Sequence, residues 1–169
     1  MKVRDIMTQP PETCRLYTDL AVASRRMRET GCGTLAVLDA KGQLAGILTD
    51  RDLAIAVGDT RREASRVAVD KAMTHHVQTC RPDDDLHVAL ERMSSARVRR
   101  LPVVAPDGQV HGLLSIDDII LWGLNQEGVS MNELVDALRS IVAPPSVALA
   151  AEPPRLEQGE SLAPGSTRH

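Results

Sequence analysis

The chain has 169 residues, 43% of them hydrophobic, with a net charge of −3, one Tyr, one Trp and no Phe. So few aromatics exclude a base-stacking platform, and the negative balance argues against a nucleic-acid backbone binder. No apolar run approaches the ~20 residues needed to span a bilayer, and the N-terminus is charged, so a cytoplasmic protein that engages neither membrane nor nucleic acid is expected. Three cysteines, Cys14, Cys32 and Cys80, are read as reduced thiols rather than a disulfide framework.

In chain order, a short extended piece around Thr13 precedes a helix carrying Leu20, Ala23 and Met27. Apolar strands follow at Leu35 to Leu38 and Leu44 to Leu48, joined by the turn Ala40-Lys41-Gly42-Gln43, and a helix opens at about Asp50. Residues 58–68 read as a linker. The series then begins again. Asp83-Asp84-Asp85 opens a helix carrying Leu86, Ala89, Leu90 and Met93, and Leu101 to Val104 and Val110 to Leu114 are strands about Pro106-Asp107-Gly108-Gln109. Ser115 opens a helix carrying Ile116, Ile119 and Ile120.

The recurrence is a tandem duplication. Residues 3–56 align with 69–122 without a gap at an offset of 66, and nineteen of the 54 positions are identical. Each copy is expected to be β-α-β-β-α, and a unit of about 60 residues buries too little core to stand alone. The expected architecture is therefore α+β, with repeats over 1–57 and 69–125 packed about a pseudo-twofold. Beyond them, Ser130-Met131-Asn132-Glu133 is a capping box before Leu134, Val135, Leu138 and Ile141, predicting an amphipathic helix within 126–142. Residues 143–169, rich in Pro, Ala, Ser and Glu, read as a disordered tail.

Two segments carry candidate chemistry: Gly46-Ile47-Leu48-Thr49-Asp50-Arg51-Asp52 and Gly112-Leu113-Leu114-Ser115-Ile116-Asp117-Asp118. Both cross a strand end into a helix start. Gly46 and Gly112 permit close approach to the backbone, Thr49 and Ser115 beside free amides suit a phosphate oxygen, and Asp52 and Asp118 suit a vicinal diol. The same spacing is close to a capping box, which needs no ligand. From the residues alone both readings stand.

These elements resemble the tandem cystathionine-β-synthase (CBS) domain pair, or Bateman module. The matching residues are Val3-Arg4-Asp5-Ile6-Met7-Thr8, the run Arg99-Arg100-Leu101-Pro102-Val103-Val104 with Gly108, and the two Gly-x-x-Thr/Ser-x-x-Asp segments. The resemblance covers about residues 2–125. It implies a regulatory module binding AMP, ADP, ATP or S-adenosylmethionine between repeats. Thr49 and Asp52, and Ser115 and Asp118, would then hold phosphate and ribose. It further implies a disc-like homodimer, and it is similar to small bacterial hypoxic-response proteins that carry an extra C-terminal helix. Arg97, Arg99 and Arg100 stand where the first copy has Gly31, Gly33 and Thr34, and Pro102 stands where it has Ala36, so the two sites should be unequal. Arg99 and Arg100 are candidates for ligand phosphate, against the alternative of a solvated basic face.

His75, His76 and Cys80, joined by Cys14 across the pseudo-twofold, are a metal-like group whose spacing matches no standard zinc pattern. His87 and His111 have no partner in the sequence pattern. Gly31-Cys32-Gly33-Thr34-Leu35-Ala36 imitates a dinucleotide fingerprint, but it follows a helix and precedes a strand, the reverse of what that fingerprint needs, and Gly31 reads as a helix cap. No catalytic constellation is present, so no enzyme is expected. The alternative is a ligand-free dimerisation module, or a metal- or redox-responsive stress protein.

Overall fold

The computed structural model describes residues 1–60, 62–125 and 127–143. In the first copy, β1 (Thr13–Arg15) pairs parallel with β2 (Thr34–Leu38), and β2 pairs antiparallel with β3 (Leu44–Thr49). Helix α1 (Leu20–Thr30) connects β1 to β2, and α2 (Asp50–Thr60) follows β3. Asp19 caps α1 by accepting from the Val22 amide, and Gly31 ends it at φ 67°, as a left-handed cap requires.

The second copy keeps this order with one loss. Helix α3 (Leu86–Ala96) precedes β4 (Arg100–Val104) and β5 (Val110–Ser115), an antiparallel pair. The first strand expected of this copy is reduced to a single parallel bridge, Cys80 to Val103. Two prolines account for this. In the first copy Ala36 donates to Glu12 O at 2.9 Å and Leu16 donates to Leu38 O at 3.3 Å. Their counterparts are Pro102 and Pro82, which have no N–H to give.

Ser115 opens α4 (Ile116–Asp118), which passes into a π-helical turn over Ile119–Gly123. Ile116 and Ile119 are buried, whereas Ile120 faces solvent. Helix α5 (Met131–Val142) packs along α3, burying Leu134 and Ala137, with Val135 at its exposed margin. Its Ser130–Glu133 capping box forms, with Ser130 Oγ donating to Glu133 Oε2 at 2.6 Å. Residues 144–169, the bulk of the expected tail, lie outside the described residues.

Each copy completes its core with a segment of the other. Val3, fully buried, sits in the core built by Leu86, Met93, Leu101 and Leu114 of the second copy. Val69, its counterpart, sits with Leu20, Leu35 and Leu48 of the first. The backbone exchanges accordingly: Val3 N–H donates to Asp84 O at 3.0 Å, and Val69 N–H donates to Thr18 O at 2.8 Å. Thr8 bridges Leu113 and Thr74 bridges Ile47, while Gln43 bridges its own counterpart, Gln109. Every one of these pairs maps onto another, or onto itself, at the offset of 66. The pseudo-twofold is thus built into the hydrogen bonding.

Candidate ligand-binding cleft

Among the described residues, two unequal clefts lined by both repeats hold the hydroxyl–carboxylate pairs. The larger, about 720 Å³, takes Thr49 and Asp52 from the first copy and Arg97, Arg99 and Arg100 from the second. The smaller, about 280 Å³, takes Ser115 and Asp118 from the second copy and Gly31, Cys32 and Gly33 from the first. Thr34 and Arg100, counterparts in the two repeats, border both. The sequence left open which hydroxyl–carboxylate pair the arginines accompany. The structure sets them opposite Thr49 and Asp52.

Both hydroxyl–carboxylate pairs form capping boxes. Thr49 Oγ1 donates to Asp52 Oδ2 at 2.7 Å and accepts from the Asp52 amide at 3.2 Å, while the Thr49 amide donates to Asp52 Oδ2 at 3.0 Å. Ser115 and Asp118 repeat this at 2.6, 3.1 and 2.8 Å. The expectation of free amides at the start of α2 is corrected. The Asp50 amide donates to Gly33 O at 3.1 Å, the Arg51 amide to Asp50 Oδ1 at 2.8 Å, and the Asp52 amide to Thr49. Those donors are engaged, so the start of α2 offers no amide to an anion in this cleft.

The carboxylates differ in what remains. Asp118 Oδ1 accepts from Thr8 Oγ1 at 3.2 Å. Thr74, the counterpart of Thr8, lines the larger cleft, and among the described residues no bond joins it to Asp52. Asp52 Oδ1 thus has no hydrogen-bond donor among the described residues. Thr34 Oγ1, in a residue 2% exposed, has no hydrogen-bond partner among the described residues. An unmade bond of this kind costs about 1–3 kcal/mol, and this one sits on the wall of the larger cleft.

The clefts also differ in charge. Four arginines (Arg51, Arg97, Arg99 and Arg100) face two carboxylates, Asp50 and Asp52, in the larger. Glu12, Asp117 and Asp118 face Arg100 alone in the smaller. Arg51, Arg97 and Arg99 take no part in any ion pair among the described residues, and Arg100 reaches Asp117 only at 3.9 Å. Arg97 is strained: it ends α3 at φ 55°, in the left-handed region where the first copy places Gly31. The sequence shows an arginine here where the first copy has its capping glycine.

Gly46 and Gly112 do face a close approach, but by protein. A Cβ at Gly46 would lie 2.5 Å from Thr74 O and 2.9 Å from Met73 Sδ, and one at Gly112 would lie 2.8 Å from Met7 Sδ and 2.9 Å from Thr8 O. The glycines admit the crossing segment of the other copy.

The metal-like group is dispersed. Cys14 and Cys80 lie in different cores, and burial pushes their thiols up to about 11 and about 12. Neighbouring Asp84 adds to the shift at Cys80. His75 Nε2 donates to Asp70 O at 3.2 Å, and His76 lines the larger cleft. Among the described residues no three His, Cys, Asp or Glu side chains converge as metal ligands. His87 does have a partner: its Nδ1 lies 2.8 Å from Glu133 Oε1, tying α3 to α5. No sequence pattern signals this pairing, because α5 lies outside the repeat.

Among the described residues no helix is long and apolar enough to cross a membrane. The CBS domain profile matches residues 3–59 and 67–125. An uncharacterized protein of Methanopyrus kandleri is 31% identical over 118 residues, covering 69% of this chain and 57% of its own. Arabinose 5-phosphate isomerase of Pseudomonas aeruginosa is 34% identical over 126 residues, covering 73% of this chain but 38% of its own. The chain thus spans little more than half of the first relative and less of the second. Among solved structures, the CBS domain pair of protein MJ0100 in complex with 5′-methylthioadenosine and S-adenosyl-L-methionine has a TM-score of 0.64 at 25% identity, covering 72% of this chain and 94% of that one. CBSX2 in complex with AMP has a TM-score of 0.62 at 25% identity, covering 71% and 93%.

Proposed function

Because the chain belongs to the CBS-domain family, we propose that it is a regulatory CBS pair that binds one adenosine-containing ligand in its larger cleft. The carrying observation is that this cleft joins Thr49 and Asp52 of one repeat to Arg97, Arg99 and Arg100 of the other. A ligand spanning them touches both halves at once. Asp52 Oδ1 accepts from ribose hydroxyls, the arginine forks receive phosphate, and Thr34 offers its unpaired hydroxyl. The adenosyl ligands of the two structural neighbours support the class of molecule.

No catalytic step is needed. A ligand that prefers one arrangement of the repeats shifts the population toward it, and that shift is the signal. The receiver is a second copy of the chain. Val22 and Val88, and Ile55 and Leu121, are exposed on helices at positions related by the repeat offset. These exposed residues therefore share the molecule's own pseudo-symmetry, as those of a self-complementary dimer face do.

Thermal unfolding against AMP, ADP, ATP and S-adenosylmethionine tests the reading. A ligand at one hundred times Kd adds about 2.7 kcal/mol, a rise on the order of 5–10 °C for a chain of this size. No rise with any of the four at millimolar concentration favours the ligand-free interaction module, for which the formed capping boxes in both repeats are the supporting observation.

A further inference from the structure

We propose that Arg97 is a specificity-determining residue: held in the left-handed conformation at the end of α3, it makes the larger cleft select an adenosyl ligand carrying two or more phosphates. The proposal rests on the adenosyl reading above and narrows it. Three observations support it.

Arg97 occupies a backbone conformation that disfavours any side chain, at a position where the other repeat uses glycine. Neither the turn nor the fold calls for an arginine there, since Gly31 closes the equivalent helix. Strained residues cluster at ligand sites, where the strain is sustained for function. Here the strained residue lines the cleft.

The start of α2 cannot take the phosphates, because its first amides are already bonded within the protein. The guanidinium groups lining the cleft supply the matching charge. Arg97 and Arg99 are free of ion pairs among the described residues, and Arg51 and Arg100 stand beside them. A single phosphate occupies one or two planar forks. Four arginines against two carboxylates leave an excess that a chain of phosphates satisfies and a sulfonium cation does not.

The smaller cleft has the opposite balance. Asp117 and Asp118 repel a polyphosphate, Glu12 is paired with Arg26 at 2.9 Å, and Asp118 already accepts from Thr8. Binding is therefore one nucleotide per chain.

Calorimetric titration of the full chain with ATP, AMP, S-adenosylmethionine and inorganic tripolyphosphate, at two salt concentrations, tests this, with R97G as the variant. Glycine suits the left-handed cap, so R97G folds, with a melting midpoint equal to or above wild type. The expected result is one ATP per chain, at least tenfold tighter than AMP or S-adenosylmethionine and weakened by salt. R97G should lose tenfold or more in ATP affinity while AMP changes less. S-adenosylmethionine or AMP binding as tightly as ATP, or R97G binding ATP like wild type, overturns the proposal and leaves the adenosyl reading intact. Tripolyphosphate bound in an Arg97-dependent way, with no adenosyl compound bound, keeps the phosphate selection and removes the adenosyl reading. No binding of any of the four removes both.

Discussion

Thr8 Oγ1 donates to Asp118 Oδ1 at 3.2 Å, a brace from the leading segment of one repeat to the helix cap of the other. Its counterpart Thr74 makes no such bond to Asp52 among the described residues, so one capping carboxylate has both oxygens engaged and the other has only Oδ2 engaged. The two repeats share the capping box and differ in what surrounds it.

Loss of either cap should weaken the fold. Thr49→Ala and Ser115→Ala each remove a hydroxyl that satisfies a helix-start amide, at an expected cost of about 0.5–2 kcal/mol in urea denaturation. Only Thr49→Ala should also reduce the thermal response to nucleotide. Truncating Asp52 or Asp118 is a poorer discriminator, because both carboxylates hold caps whether or not a ligand binds.

The buried glycines separate packing from flexibility. Gly46→Ala drives a methyl against Thr74 O and Met73, and Gly112→Ala against Thr8 O and Met7. Backbone has to move in both, so each should cost about 1–3 kcal/mol. Gly58→Ala, on α2 with nothing within 4 Å, should instead stabilise by roughly 0.5–1 kcal/mol. Equal effects at the three positions would refute the crossing contact.

Acid should loosen α5. The Ser130 hydroxyl and amide, and then the His87 ring, hold the Glu133 carboxyl down at about 2 from an ordinary 4.5. A lowered carboxylate contributes stability that is complete above its unfolded value and fades as pH falls toward the folded one. The unfolding midpoints of wild type and Glu133→Gln should therefore differ at pH 6 and converge between pH 4.5 and 2. A constant difference across that window would show that the charge does not matter.

The exposed apolar residues predict self-association. Ile55 is 51% exposed and its counterpart Leu121 is 67% exposed. Ile55→Glu with Leu121→Glu should leave the monomer folded and shift light-scattering mass from dimer to monomer. A wild type that is monomeric at high micromolar concentration would remove the dimer proposal.

Much of the fold was legible because a duplication displays each pattern twice. The strand pairs, the Gly31 cap and the Ser130–Glu133 box rest on spacings a few residues long, which a sequence shows directly. The loss of the second copy's first strand was also written there, in Pro82 and Pro102, although its meaning depends on which amides donate between the β1 and β2 segments. The partition of the clefts was not legible. Placing Arg97 and Arg99 opposite Thr49 depends on how the copies cross, and no local pattern encodes that. The glycines misled for the same reason: close approach was required, but by Thr74 and Thr8 rather than by a ligand.

Val3 in the second core and Val69 in the first have a consequence for origin and assembly. A single copy, cut from the chain, would have an open socket and a loose plug that fits only the socket of another copy. Two such halves would have to meet in solution, and their union would fade on dilution. The tandem chain ties that pair together covalently, so the exchange happens within one molecule at any concentration. Once tied, the halves could differ, one carrying arginines where the other has glycines, without losing their fit.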